Sequence, residues 1–321
     1  MEPGMRVFVT GAAGFVGSRL SRTLLNRSDS VIGFDNFNDY YERSHKDRHL
    51  ADLLPDPAFQ METGDLRDAP LLRALFQKHR PDAVVHLAGM AAVRYSVQHP
   101  LLYADVNVQG SVNVLDAARH IGTPTCVLAS TGSVYGADTP VPFVETAAAA
   151  CPLAPYPASK RAMELFAFSY AHLWKLPTTI VRFFNVYGPH GRPDMMPWQL
   201  TMKILAEETY PLYGAGKLKR DWTYVDDIVA GLVLAINARL ANEILNLGCG
   251  CPVENLEFVK ILESLLGKKA KMIDTPTPAS EPLITYADVS KAKRLIGYEP
   301  KISVAEGLER FVEWMRVEKI I

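Results

Sequence analysis

The chain has few cysteines, no long apolar run and no excess of either charge, and each shortage removes a class of protein. Four cysteines in 321 residues are too few and too scattered for a disulfide framework. Cys126 lies in an apolar strand pattern, Cys151 precedes Pro152, and Cys249 and Cys251 flank Gly250; no second Cys or His pair stands at a matching spacing, so no metal site is expected. Lys plus Arg number 34 against 35 Asp plus Glu, which leaves no global field to recruit nucleic acid or an anionic membrane. No apolar run reaches bilayer length, and a strand pattern begins too close to Met1 to leave room for a signal peptide. The expected compartment is the cytoplasm, with neither nucleic acid nor membrane as partner.

What is present begins with Arg6-Val7-Phe8-Val9-Thr10-Gly11-Ala12-Ala13-Gly14-Phe15-Val16-Gly17, an apolar run that breaks at regularly spaced glycines and continues in helical periodicity. It reads as strand, turn, helix. Gly11 takes the tight turn, Gly14 admits a pyrophosphate, and Gly17 lets the helix pack on the strand, so that an anion sits at the helix N-terminus. By itself the pattern also fits a turn with no ligand. About twenty positions on, Ser30-Val31-Ile32-Gly33-Phe34 ends in Asp35, placed to accept from ribose hydroxyls and to repel a 2′-phosphate. The expected cofactor is NAD, with Phe15, Val16, Asn36, Leu66, Leu87 and Ala88 also lining its site. Asp65 either accepts from the adenine amino group or caps the following helix.

Further strands follow at Phe59-Gln60-Met61-Glu62, Ala83 to Gly89, Thr125 to Leu128 and Thr179 to Phe184, with a helix over 69–79. Apolar strands separated by helical patterns predict a parallel sheet covered on both faces, a doubly wound α/β fold. After Phe184 glycines and prolines increase and segments shorten. The expected division is a dinucleotide-binding domain over 1–183, rejoined by 222–247, and a smaller interleaved substrate domain over 184–321. Two helices, Pro100 to Ile121 and Tyr156 to Trp174, carry apolar residues on more than one face, which predicts a homodimer joined by a four-helix bundle.

Tyr156 and Lys160 stand four apart at a helix start, hence one turn apart on one face. A nearby ammonium favours the phenolate, making Tyr156 a base, and both groups would also touch the cofactor. The turn Ala129-Ser130-Thr131-Gly132-Ser133-Val134-Tyr135-Gly136 supplies hydroxyls, of which Thr131 is the expected partner of the reacting oxygen; the plainer reading is hydroxyls satisfying backbone groups.

These motifs together resemble the extended short-chain dehydrogenase/reductase family of nucleotide-sugar enzymes over essentially the whole chain. Within it the chain is most similar to UDP-glucuronate 4-epimerases, through Phe34 to Tyr41, Val93 to Ser96, Arg182 to Pro189, Gly191 to Met195, Lys219 to Tyr224 and Thr285 to Val289. The resemblance implies a UDP-sugar substrate. It gives Arg220 to the diphosphate, Arg192 to that clamp or to the sugar, Glu281 to the uridine ribose, and Arg94, Ser133 and Asn185 to the substrate as well. Asn185 departs from the Thr usual in glucuronate epimerases, and Pro278 stands near a phosphate-binding Arg of many neutral-sugar enzymes. Related decarboxylases and dehydratases carry an acid in the turn where this chain has Gly132 and Ser133. The implied reaction is reversible NAD-dependent 4-epimerisation of UDP-glucuronate. The alternatives are a neutral UDP-sugar epimerase, a UDP-glucuronate decarboxylase, and an idle NAD-binding scaffold.

Overall fold

The computed structural model describes residues 4–321. Its first half alternates strand and helix: β1 (Arg6–Thr10), α1 (Phe15–Asn26), β2 (Ser30–Asp35), α2 (Arg43–Leu50), β3 (Phe59–Thr63), α3 (Ala69–His79) and β4 (Ala83–His86). After α4 (Val93–Gln98) and α5 (Pro100–Tyr103) comes a π-helical stretch, Ala104–Gln109, then α6 (Gly110–Ile121), β5 (Cys126–Thr131), α7 (Pro155–Trp174) and β6 (Thr178–Phe183). The second half holds β7 (Asn185–Tyr187), α8 (Met196–Leu205), β8 (Thr209–Tyr213), β9 (Lys219–Arg220), β10 (Trp222–Tyr224), α9 (Val225–Ala238) and β11 (Glu243–Leu247). It closes with β12 (Val253–Glu254), α10 (Asn255–Leu266), β13 (Lys271–Thr275), α11 (Ser290–Ile296) and α12 (Val304–Val317).

Seven strands form one parallel sheet in the order β11-β6-β5-β4-β1-β2-β3. The near-continuous apolar character of β1, β4 and β5 follows from burial on both faces. Strand order reverses between β1 and β4, and in such sheets ligands bind in the crevice beyond the strand ends at that point. Glu243–Leu247 pairs with β6, so the sheet's last strand comes from after the start of the second half. Three two-stranded sheets, β10 with β7, β12 with β9 and β13 with β8, carry the loops that cover the crevice. No helix among the described residues is long and apolar enough to cross a membrane.

Two local differences from the sequence reading bear on the site. The strand expected to end at Leu128 continues to Thr131, because Ala129, Ser130 and Thr131 pair with Val181, Arg182 and Phe183 of β6. Thr131 is therefore the last strand residue rather than part of the turn after it. The helix expected from Pro100 to Ile121 is interrupted by the π stretch. There Asn107, fully buried, donates to the Met90 carbonyl and to Ser159 Oγ, both at 2.9 Å, and accepts from Met90 N–H at 2.8 Å. A wider turn at a functional site is a recurrent use of π geometry; here it ties the loop after β4 to α7.

Candidate active site

The crevice beyond β1 and β4 opens into a single cavity that runs from the glycine loop, past Tyr156, to Arg220 and Glu281. Gly11 adopts φ +74°, and a Cβ on Gly17 would lie 2.1 Å from the Gly11 carbonyl oxygen. These two positions leave a cradle that side chains would fill. No side chain caps the start of α1, so its first N–H groups are available to an anion. His49 Nδ1 lies 2.9 Å from the Ala13 carbonyl and braces the loop from α2.

At the end of β2, Asp35 accepts from Ala13 N–H (3.3 Å) and Phe37 N–H (2.8 Å), and from the buried Lys46 ammonium at 3.1 Å. Asn36 donates to Asp65 at 3.1 Å, and Arg67 pairs with the same carboxylate, holding it well below the usual range. The capping alternative for Asp65 is corrected: Asp68 caps α3, accepting from Leu71 N–H. Asp65 and Leu66 line the cavity, as do Phe15, Val16, Leu87 and Ala88. Thr10 Oγ1 accepts from the N–H groups of Leu87 and Ala88 at 3.1 Å each, and contacts His86 Nδ1 at 2.8 Å. The floor is thereby fixed. A glycine cradle, open helix N-terminus and carboxylate at the end of β2 fit NAD.

At the centre, Pro155 opens α7 without needing its missing N–H and brings Tyr156 and Lys160 under the end of β5. Burial raises the Tyr156 phenol above its ordinary pKa, while the nearby Thr131 hydroxyl and the charge of Arg192 pull it down. Thr131 Oγ1 accepts from Ser133 N–H at 3.1 Å, which leaves its proton for another acceptor. Lys160, buried and donating to the Ala129 carbonyl at 3.0 Å, has its pKa pushed down to about 8 by burial, with Glu164 opposing. The Arg192 guanidinium thus adds a further cation near the phenol to the Lys160 ammonium expected from the sequence.

Arg192 grips Asp194 through Nε and Nη2, both at 2.9 Å, and Asp194 also accepts from Tyr40 at 3.0 Å. Asn185 Oδ1 accepts from the Thr285 hydroxyl at 3.3 Å, which assigns the amide N–H₂ to the cavity side. Farther out, Arg220 pairs with Glu281 at 3.0 Å, and burial lowers its pKa against the pull of that carboxylate. Arg94 donates to Tyr213 Oη at 2.9 Å. Ser133, Arg94 and all the other substrate candidates line the same cavity. A Cβ on Gly132 would meet the Phe184 ring at 2.8 Å, so that position has no room for an acidic side chain unless the ring moves.

Lys46, Asn107, Tyr40, Asp194 and Glu164 escaped the sequence reading. A charged helix gives no sign that Lys46 turns inward. Glu164 did leave a signal, standing eight residues after Tyr156 and hence on its face of α7. Among the described residues no cluster of three His, Cys, Asp or Glu could hold a metal.

The sheet, the glycine cradle and the Tyr156–Lys160–Thr131 centre define a dinucleotide-dependent oxidoreductive enzyme with a second substrate arm. The chain belongs to the NAD dependent epimerase/dehydratase family, matched over residues 7–248. It is 40% identical, over 96% of its own length and 95% of the relative's, to a UDP-glucuronate 4-epimerase of Thermodesulfobacterium geofontis. A UDP-glucuronic acid 4-epimerase from Bacillus cereus, solved with UDP-glucuronic acid and NAD, matches with TM-score 0.92 and 32% identity over 98% of this chain and all of that one. A UDP-glucose 4-epimerase from Thermotoga maritima, solved with UDP-glucose, matches with TM-score 0.90 and 30% identity over the same shares. The protein is an NAD-dependent enzyme of the nucleotide-sugar epimerase family.

Proposed function

We propose that the protein interconverts UDP-glucuronate and UDP-galacturonate. The observation that carries this reading is the set of groups around Tyr156: the free amide of Asn185, the Arg192 guanidinium and Thr131, with no acid in the Gly132–Ser133 turn. Bound NAD would supply a hydride acceptor that later returns the hydride to the same carbon. Tyr156 takes the C4 hydroxyl proton, Thr131 holds O4, and Lys160 orients the nicotinamide ribose. Arg220 and Glu281, at the far end, hold the diphosphate and uridine ribose while the flat 4-keto sugar turns over about its diphosphate linkage.

The 4-keto uronate is a β-keto acid, which loses CO₂ once the C5–carboxylate bond aligns with the carbonyl π system. Asn185, Ser133 and Thr131 are placed to hold that carboxylate out of alignment. The absent acid argues against dehydration and decarboxylation. Incubation with UDP-glucuronate, UDP-glucose and UDP-N-acetylglucosamine in parallel, with products resolved by NMR, tests the assignment. Faster turnover of UDP-glucuronate is expected, and preference for either neutral sugar refutes it.

Asn185→Ala should lower kcat/KM for UDP-glucuronate by about tenfold or less, as one neutral hydrogen bond contributes on the order of 1 kcal/mol. UDP-glucose turnover should change less, and some UDP-4-keto-pentose should appear. Asn185→Thr should be tolerated. Equal losses on both sugars without decarboxylated product would remove Asn185 from carboxylate binding.

We also propose a homodimer. Leu101 (79% exposed), Leu165 and Phe168 (55% each) and Leu173 (62%) face away from the core on α5 and α7, and a second copy completing a four-helix bundle would cover them. Light scattering should give a dimer at micromolar concentration, and Leu165→Asp combined with Phe168→Asp should give a monomer. A monomeric wild-type protein contradicts this. The four cysteines are unpaired thiols, in keeping with a cytoplasmic compartment.

A further inference from the structure

Tyr156, Lys160 and Glu164 stand on successive turns along one face of α7. The last is 1% exposed. Its carboxylate accepts from Ser130 Oγ on β5 at 2.5 Å, from Arg182 on β6 at 2.9 Å (Nε) and 2.7 Å (Nη2), and from Arg161 at 2.8 Å. Ser130 and Arg182 are register partners on adjacent strands, so one carboxylate spans both. Ser130 immediately precedes Thr131, and the Lys160 ammonium is tied to Ala129, one residue earlier. Helix and strand are therefore joined through the Ala129 carbonyl and the Ser130 hydroxyl, just before Thr131, whose hydroxyl lies near the Tyr156 phenol.

We propose that Glu164 is a positioning residue of the reaction centre, clamping α7 to β5 and β6 so that Tyr156 meets Thr131 and setting a negative charge one turn from the Lys160 ammonium. The proposal rests on the reading of Tyr156, Thr131 and Lys160 as the reaction centre.

The charged surroundings of Lys160 make the second role specific. From α7 it faces Glu164 and the phenol of Tyr156, with Arg161 beyond the carboxylate. From β4 comes His86, whose pKa burial pushes down to about 3, so that it is neutral. From β6 comes Arg182, on the far side of Glu164. Ala129 to Thr131 of β5 and Asn107 of the π stretch carry no charge. Among the described residues Glu164 is the one carboxylate that supports the ammonium against burial, and its removal lets Lys160 lose its proton at lower pH.

A merely structural ion pair would affect melting alone, so the test reads something else. NAD affinity is measured on protein stripped of cofactor, from about pH 6 to about pH 10, for wild type, Glu164→Gln and Glu164→Leu/Arg182→Met. The double variant removes both members of the Glu164–Arg182 pair, so that neither is left buried without the other. In wild type the affinity should fall as Lys160 deprotonates. In Glu164→Gln that midpoint should move acidward by about one pH unit, and kcat should drop by about tenfold with KM little changed. The double variant should recover the melting temperature but neither the midpoint nor kcat. A wild-type midpoint in either folded variant overturns the proposal, as does a double variant with wild-type kcat. Because NAD binding needs no sugar, a protein inert toward UDP-glucuronate would refute the proposed reaction and leave the NAD-affinity midpoints as the test.

Discussion

Tyr156→Phe is expected to bind NAD and UDP-sugar as the wild type does and to lose turnover by about 10³-fold, within the range ascribed to a positioned general base. The ring should stay in place, because its edge-on contact with Tyr103, centroids 6.2 Å apart, does not use the hydroxyl. What disappears is the atom that takes the C4 hydroxyl proton and returns it after the sugar has turned. Binding is set elsewhere in the cavity, at the glycine cradle and at Arg220 with Glu281. A loss confined to kcat would therefore match the roles assigned. Thr131→Val should be milder, at about 10- to 100-fold, since it removes one neutral hydrogen bond to O4 and leaves the base. Equilibrium dialysis with both ligands and a turnover assay check the pair; near wild-type turnover in Tyr156→Phe would remove it from the chemistry.

The second large effect is expected at Arg192. Two of its nitrogens are committed to Asp194, and among the described residues Nη1 has no protein partner. Its charge is one that lowers the phenol. Removing a positive charge raises the pKa of an acid whose deprotonated form is the active base, so the acid limb of the rate profile must move to higher pH. Arg192→Met should show that movement, together with a fall in kcat/KM for UDP-glucuronate of about 10²-fold or more. The loss should be smaller on UDP-glucose, which carries no carboxylate. Arg192→Lys retains the charge without the two-pronged grip and should keep the limb in place while weakening binding. An unmoved limb in a folded Arg192→Met protein would show that the field of Arg192 does not govern Tyr156.

Both residues were visible in the sequence, but their relationship was not. The glycine spacing, the carboxylate ending β2 and the Tyr156–Lys160 interval are local features, and local features can be read from residue types at fixed separations. The doubly wound sheet was legible for the same reason, since continuous apolar strands between helices leave few alternatives. That Arg192 also reaches the phenol depends instead on how the chain beyond β7, 36 residues from Tyr156, returns to the same cavity, and no pattern records that. Lys46 on Asp35 and Tyr40 on Asp194 are likewise products of tertiary packing. Arg182 is a partial exception. A charged residue within Thr178–Phe183, a buried strand, demands a buried partner, and Glu164 was the acid on the facing helix. The π stretch left only one trace, the polar Asn107 among apolar neighbours.

The most direct test of the epimerase reading is to incubate the protein with UDP-glucuronate in D₂O, without added reductant, and follow the sugar by proton NMR. The account predicts UDP-galacturonate that retains protium at both C4 and C5, because the C4 hydride returns to its own carbon and C5 is never deprotonated. A deuterated C5 or a five-carbon product would contradict it, and so would unchanged UDP-glucuronate alongside brisk conversion of UDP-glucose.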